Sequence, residues 1–233
     1  MKKLFLTILV LTFSKTFSQT KNFIDQPYVE TSAKVDTLVI PDRIYLNISI
    51  TEKDTKGKIS VEELETKMNE KLKSLGIVTE KQLTLNDLSS NYKKYFLKQQ
   101  DILKNKNYTL LVNNAKIAGR VIVALEEIEI SNVVLEKTEY SKAEEMIMTL
   151  KSEAIIKAKN QAIAMTKPLN QKVGNAIFIS DFSNIVNMLS GRVAGIQIRG
   201  ARSLEEKDKY EPVNIEFEKI KIETEVKVTF KLE

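Results

Sequence analysis

Residues 220–232, IKIETEVKVTFKL, decide how this chain folds. Ile220, Ile222, Val226, Val228, Phe230 and Leu232 share one parity, while Lys221, Glu223, Glu225, Lys227 and Lys231 share the other. Apolar and charged residues alternating with a period of two describe a β-strand with one face in the core and one in water. At about 3.3 Å per residue such a strand runs roughly 40 Å, so it needs a sheet of similar length beside it and a helical layer over its apolar face.

An alanine-rich helix upstream supplies that layer. Ala143, Ile147, Leu150, Ala154, Ala158 and Met165 recur at helical spacing over roughly 25 residues, behind a capping-box pattern Ser141-Lys142-Ala143-Glu144 and ahead of Pro168. Ile155, Ile156 and Ile163 fall off that stripe. They widen the core face, pack under a loop or meet another subunit.

The rest of the chain follows the same two periods. Val29, Thr31, Ala33 and Val35 alternate in a first strand, Pro41-Asp42 interrupts, and Ile44, Leu46, Ile48 and Ile50 alternate in a second. Ser60 to Glu63 is another capping box, opening a helix with stripe Val61, Leu64, Met68, Leu72 and Leu75 that stops at Gly76. A hairpin is expected over residues 82–113, aromatic at Tyr92, Tyr95 and Phe96, with turn-like residues at 99–101 and 104–107. Asn114 caps a helix over 115–126, and strands follow at 128–138 and 173–180. Residues 181–212 break the rhythm and hold three of the seven glycines, at 191, 195 and 200. The order ββαββαβαβ-insert-β predicts a mixed α+β fold, its sheet mostly antiparallel, with helices gathered on one face.

The N-terminus reads as an address. Met1-Lys2-Lys3 precedes the ten-residue apolar run 4–13, and Thr16-Phe17-Ser18 offers small residues for cleavage after Ser18. That run is half of what a membrane span needs. The expected mature chain has a short tail at 19–27, one domain at 28–233 and no integral span. With no cysteine to carry a lipid, it is expected to be soluble in the periplasm or beyond. Losing Lys2, Lys3 and Lys15 takes Lys+Arg from 36 to 33 against 31 acids, so the formal charge drops from +5 to +2. Nucleic-acid binding thereby loses its electrostatic footing.

The chain contains neither histidine nor cysteine. A Cys/His zinc site, a histidine base and a thiol nucleophile are excluded, and any catalysis is left to Asp, Glu, Lys, Tyr, Ser or Thr. Ser90-Asn91-Tyr92-Lys93 has the S-x-x-K spacing, but it falls in an expected strand without a following K-T-G. Paired carboxylates such as Glu62-Glu63 and Glu144-Glu145 fit solvated helix faces. No calcium loop or glycine-rich phosphate cradle is present, and no cofactor is expected.

Four stretches together resemble the SIMPL-domain family of bacterial envelope proteins. They are the strand pair across 29–50 with Pro41-Asp42 between, the helix end MNEKLKSLGI at 68–77, the alanine-rich helix at 152–165 followed by LNQKVGNAIFIS at 169–180, and the terminal segment 212–232. The resemblance implies a non-enzymatic envelope protein, often multimeric, some members forming rings, linked to stress tolerance and without an agreed molecular activity. The segment 181–211 is longer than that pattern. Its SGRVAGIQIRG at 190–200 is similar to a stretch near the plug of TonB-dependent outer-membrane receptors. Val193, Gly195, Ile196, Ile198 and Arg199 are therefore candidates for pairing with a partner strand, and Ile155, Ile156 and Ile163 for contact between subunits. The expected partners are copies of this chain or another envelope protein. A partner-binding module built on 181–211 and a cryptic hydrolase stand as alternatives.

Overall fold

The structure, a computed structural model, describes residues 26–93, 101–181 and 216–233, with side chains described outside 88–103. Its elements in order are β1 (Tyr28–Val39), β2 (Arg43–Thr51), α1 (Val61–Ser74), the single turn α2 (Thr79–Gln82), β3 (Leu83–Lys93), β4 (Asp101–Val112), α3 (Ala115–Glu126), β5 (Val133–Glu139), α4 (Ala143–Thr166) continuing into a 3-10 turn (Lys167–Leu169), β6 (Val173–Asp181) and β7 (Ile220–Leu232). The class is α+β. The described strands form two sheets, β1-β7-β6 and β3-β4-β2-β5, in place of the single sheet expected. Alternation fixes which face of a strand is buried but leaves its neighbour open.

By packing, the chain divides into two compact units, with boundaries inside β1, α4 and β7. The first holds the chain up to Val35, the stretch from Thr149 through β6, and the residues from Thr224 onward. Its core sets Ala33, Val226, Val228 and Phe230 against Ala154, Ala158 and Ala162. In β7 the buried and exposed residues alternate as expected, with Thr224 and Thr229 buried as well. The alanines bring the backbone of α4 close to the sheet, and the Thr31 hydroxyl donates to the Ala158 carbonyl at 2.9 Å.

Behind the buried Ala143 and Ile147, the buried positions of α4 recur every fourth residue from Leu150 on: Leu150, Ala154, Ala158, Ala162 and Thr166. Each step of four overshoots a full turn by about 40°, so the stripe winds around the helix as it advances. Thr166 therefore replaces Met165, which is 58% exposed and not in the core face where the sequence put it. The stripe is one residue wide. The wide core face allowed for Ile156 and Ile163 does not form, and only Ile155 turns partly inward against the core.

The second unit holds Asp36–Met148 and the stretch ending at Glu223. The even-numbered residues Ile44 to Ile50 of β2 and Tyr108, Leu110 and Val112 of β4 meet Val61, Leu64, Met68 and Leu72 of α1 and Ala118, Val121 and Leu125 of α3. Helix ends follow the sequence closely. The Ser60 hydroxyl accepts from Glu63 N at 3.2 Å, and the Asn114 side chain accepts from Ile117 N at 2.8 Å. The Glu63 carboxylate turns to Lys67 at 2.8 Å. At the far end of α1, Gly76 adopts φ 81°. Its N–H donates to Lys73 O and that of Ile77 to Leu72 O, a Schellman pair that satisfies the last carbonyls.

Three local expectations are corrected. Residues 104–107 lie within β4 and pair on one side with β2 and on the other with β3. Their polarity suits a strand because Lys104 and Lys106 reach Glu62 and Glu65 on α1. Residues 128–132 form the exit from α3, with Glu129 at φ 66°, and the strand starts at Val133. Ser141 does not take the capping role: its hydroxyl and N–H both donate to the Asp42 carboxylate.

Candidate functional site

The described surface of the first unit offers two features beside its core. One is the outer side of α4. At about 100° per residue, Ile156 and Ile163 lie roughly 180–200° around the helix from Ala154. They are 60% and 45% exposed. Of the three isoleucines marked as possible subunit contacts, these two face water and Ile155 belongs to the core margin. Val193, Gly195, Ile196, Ile198 and Arg199 lie outside the described residues.

The other feature is the edge of β1, the outer strand of its sheet among the described residues. Leu232 N donates to Pro27 O at 2.9 Å, so odd-numbered residues of β1 turn their backbone groups toward β7. Even-numbered ones, Glu30, Ser32 and Lys34, turn theirs away. Lys34 O accordingly accepts from Lys157 Nζ at 2.9 Å. A shallow groove follows this edge, with Glu30, Thr31 and Ser32 on one side and Gln161, Ala164 and Met165 of α4 on the other. The Glu30 carboxylate pairs with Lys227 at 2.7 Å across the strands. Sequence reasoning missed the groove by assigning Met165 to the core. The four-residue ladder from Leu150 to Thr166 was the available signal.

In the second unit, charged and phenolic groups gather in three clusters. Glu65 on α1 pairs with Lys106 on β4, whose side chain is largely buried, beside the Tyr108 ring. The Tyr108 hydroxyl is buried without a partner at hydrogen-bonding geometry. Burial, then the neighbouring Glu65 charge, pushes its pKa well above the usual phenol range. For Glu65 burial acts upward, but the Lys106 and Tyr108 side chains outweigh it and hold the carboxyl below its ordinary value. On β2 and β5, Glu139 accepts from the Tyr45 hydroxyl at 2.9 Å and pairs with Lys137 at 2.7 Å. The Lys137 ammonium lies 4.6 Å from the centre of the Tyr45 ring. Burial raises the Tyr45 pKa, assisted by Glu139, while Glu139 is net lowered because Lys137 and Tyr45 overcome its own desolvation. Asp42 behaves likewise: desolvation acts upward, and the two Ser141 bonds bring it below the normal carboxylate range.

These contacts join neighbouring elements and satisfy one another. Ser90 and Lys93 lie together in β3, not on the helical turn that an S-x-x-K pair needs. Among the described residues no three carboxylates gather as a metal-binding group, and no helix is long and apolar enough to cross a membrane.

Comparison with known families finds a match to SIMPL, described as a protein of unknown function (DUF541), over residues 29–230. No curated protein matches the chain.

Proposed function

The chain belongs to the SIMPL family, and from that premise we propose that it is an exported envelope protein that works by association, with copies of itself or with another envelope protein, and not by catalysis. The observation that carries this reading is the outer side of α4, where Ile156 and Ile163 lie within about 20° of each other around the helix and stand exposed outside the narrow buried stripe. Fully burying an exposed isoleucine is worth about 1.5–3 kcal/mol and these two are roughly half exposed, so covering each is worth about 1 kcal/mol and gives a second surface something to gain. Export is supported by the basic start and apolar run of residues 1–18. Absence of histidine and cysteine, together with the mutual pairing of Glu65 with Lys106 and Glu139 with Lys137, supports association over chemistry.

Native mass measurement on the purified protein tests the reading. The wild type should form species at multiples of the subunit mass or carry an envelope protein with it. Ile156→Glu with Ile163→Glu should shift it toward the monomer without lowering its melting temperature. A wild type that is monomeric at every concentration and brings down no partner refutes the proposal. Fractionation should place a chain beginning at Gln19 outside the cytoplasm.

A further inference from the structure

We propose that the outer side of α4 is a self-complementary docking surface for α4 of a second copy of this chain, the two helices antiparallel about an axis at Asn160. The inference rests on the self-association reading above and gives it a register.

Glu153, Ile156, Asn160, Ile163 and Lys167 follow one another in steps of three and four residues. At about 100° per residue they stay within roughly 40° of one line along the helix, with Lys167 the first residue of the 3-10 turn that prolongs it. All five are exposed, Ile156 at 60% and Ile163 at 45%, and all lie within the first unit. Among the described residues neither Glu153 nor Lys167 is engaged in an ion pair. Lys157 and Lys159 lie about 80° to either side of the line, where their long stems can border an apolar contact and keep the ammonium groups in water.

Reversed, this line is its own complement. Glu153 and Lys167 stand equally far from Asn160 on opposite sides, so a two-fold axis there brings Glu153 level with the partner's Lys167, and Lys167 level with the partner's Glu153. Ile156 comes within about 1.5 Å, one residue's rise, of the level of the partner's Ile163. Asn160 meets its own counterpart, and an amide carries both the donor and the acceptor that such a pair needs. The order Glu, Ile, Asn, Ile, Lys therefore joins apolar to apolar and acid to base in a single register. Sliding one helix by a turn in either direction sets the isoleucines against Asn160, Glu153 or Lys167 and parts the two charges. A polar residue in the middle of a helix seam fixes register in the same way.

The absence of cysteine makes a clean test possible. Asn160→Cys places the only thiol on the axis. Packed helices lie about 8–10 Å apart with Cα atoms about 2.3 Å from each axis, so the two Cα atoms stand roughly 5 Å apart, within disulfide range. Under mild oxidation the variant should form covalent dimers at least about tenfold faster than Glu70→Cys, at an exposed position on α1, because the axis fixes a high effective concentration. Glu153→Lys and Lys167→Glu should each raise the dissociation constant of the dimer several-fold, and the two together should restore it, since the exchanged pair is again complementary. A folding defect in either single variant does not produce that restoration. Cross-linking of Asn160→Cys at the control rate overturns the proposal; if native oligomers persist, self-association stands and only this surface falls. A double variant as weak as the single ones, or a mixed disulfide with a different envelope protein in place of the dimer, likewise overturns it.

Discussion

Ala158→Leu probes the packing on which the first unit depends. Ala158 is fully buried, faces the core of Val226, Val228 and Phe230, and its carbonyl accepts the Thr31 hydroxyl. Leucine adds three carbons where the helix backbone already lies close to the sheet. Overpacking of this kind costs about 1–3 kcal/mol. If α4 moves outward to make room, the Thr31 bond goes too, at about 1 kcal/mol. A total of roughly 2–4 kcal/mol at about 2–4 °C per kcal/mol for a chain of this size lowers the melting temperature by about 5–15 °C. Lys159→Leu introduces the same side chain one residue on, at an exposed position, and should stay within about 0.5 kcal/mol of wild type. Urea titrations of both variants at a dilution where self-association is absent provide the comparison. If Ala158→Leu unfolds at the wild-type midpoint, or Lys159→Leu is the more damaging, the helix is not seated on its alanines and the reasoning fails.

Two further outcomes follow from the second unit. Glu65, Glu139 and Asp42 have folded pKa values below their unfolded ones, so their stabilisation is present above about pH 4.5 and is lost as pH falls through the lower folded values. Melting temperature should therefore be flat from pH 7 to about 5 and decline below pH 4, and in Ser141→Ala the Asp42 carboxyl should titrate higher by NMR; a decline that begins near neutrality contradicts this. Tyr108→Phe removes a buried hydroxyl that lies near the Glu65 carboxylate but outside hydrogen-bonding geometry, so the variant should stay within about 1 kcal/mol of wild type, and a loss above about 1 kcal/mol would show that the Glu65 contact is a full hydrogen bond.

Much of the fold was legible in the residues because its signals are local. β7 runs from Ile220 to Leu232 with the alternation its sequence displays, and α3 begins at the asparagine that caps it. Gly76 takes the positive φ that ends α1. Misreadings arose where one residue type suits two settings. Lysines and asparagines at 104–107 resemble a turn, but in β4 the lysines find acids on α1. Ser141 followed by Glu144 has the form of a cap, but Asp42, distant in sequence, takes its hydrogen bonds. Met165 fits an average helical stripe, while the observed one advances by fours from Leu150 to Thr166.

The candidate surfaces divide in the same way. Ile156 and Ile163 were visible as residues off the stripe; the groove of Glu30, Ser32, Gln161 and Met165 was not, because it joins residues some 130 positions apart. The sequence by itself determined most of the elements, the caps at Ser60 and Asn114 and the buried face of the alternating strands, since these depend on dihedral preferences and on periods of 2 and 3.6 within one segment. Only tertiary structure decided that the strands make two sheets and that β1 is left at an edge. Backbone hydrogen bonds carry no mark of the residue that will receive them, and pairing is settled by which apolar faces can be buried together.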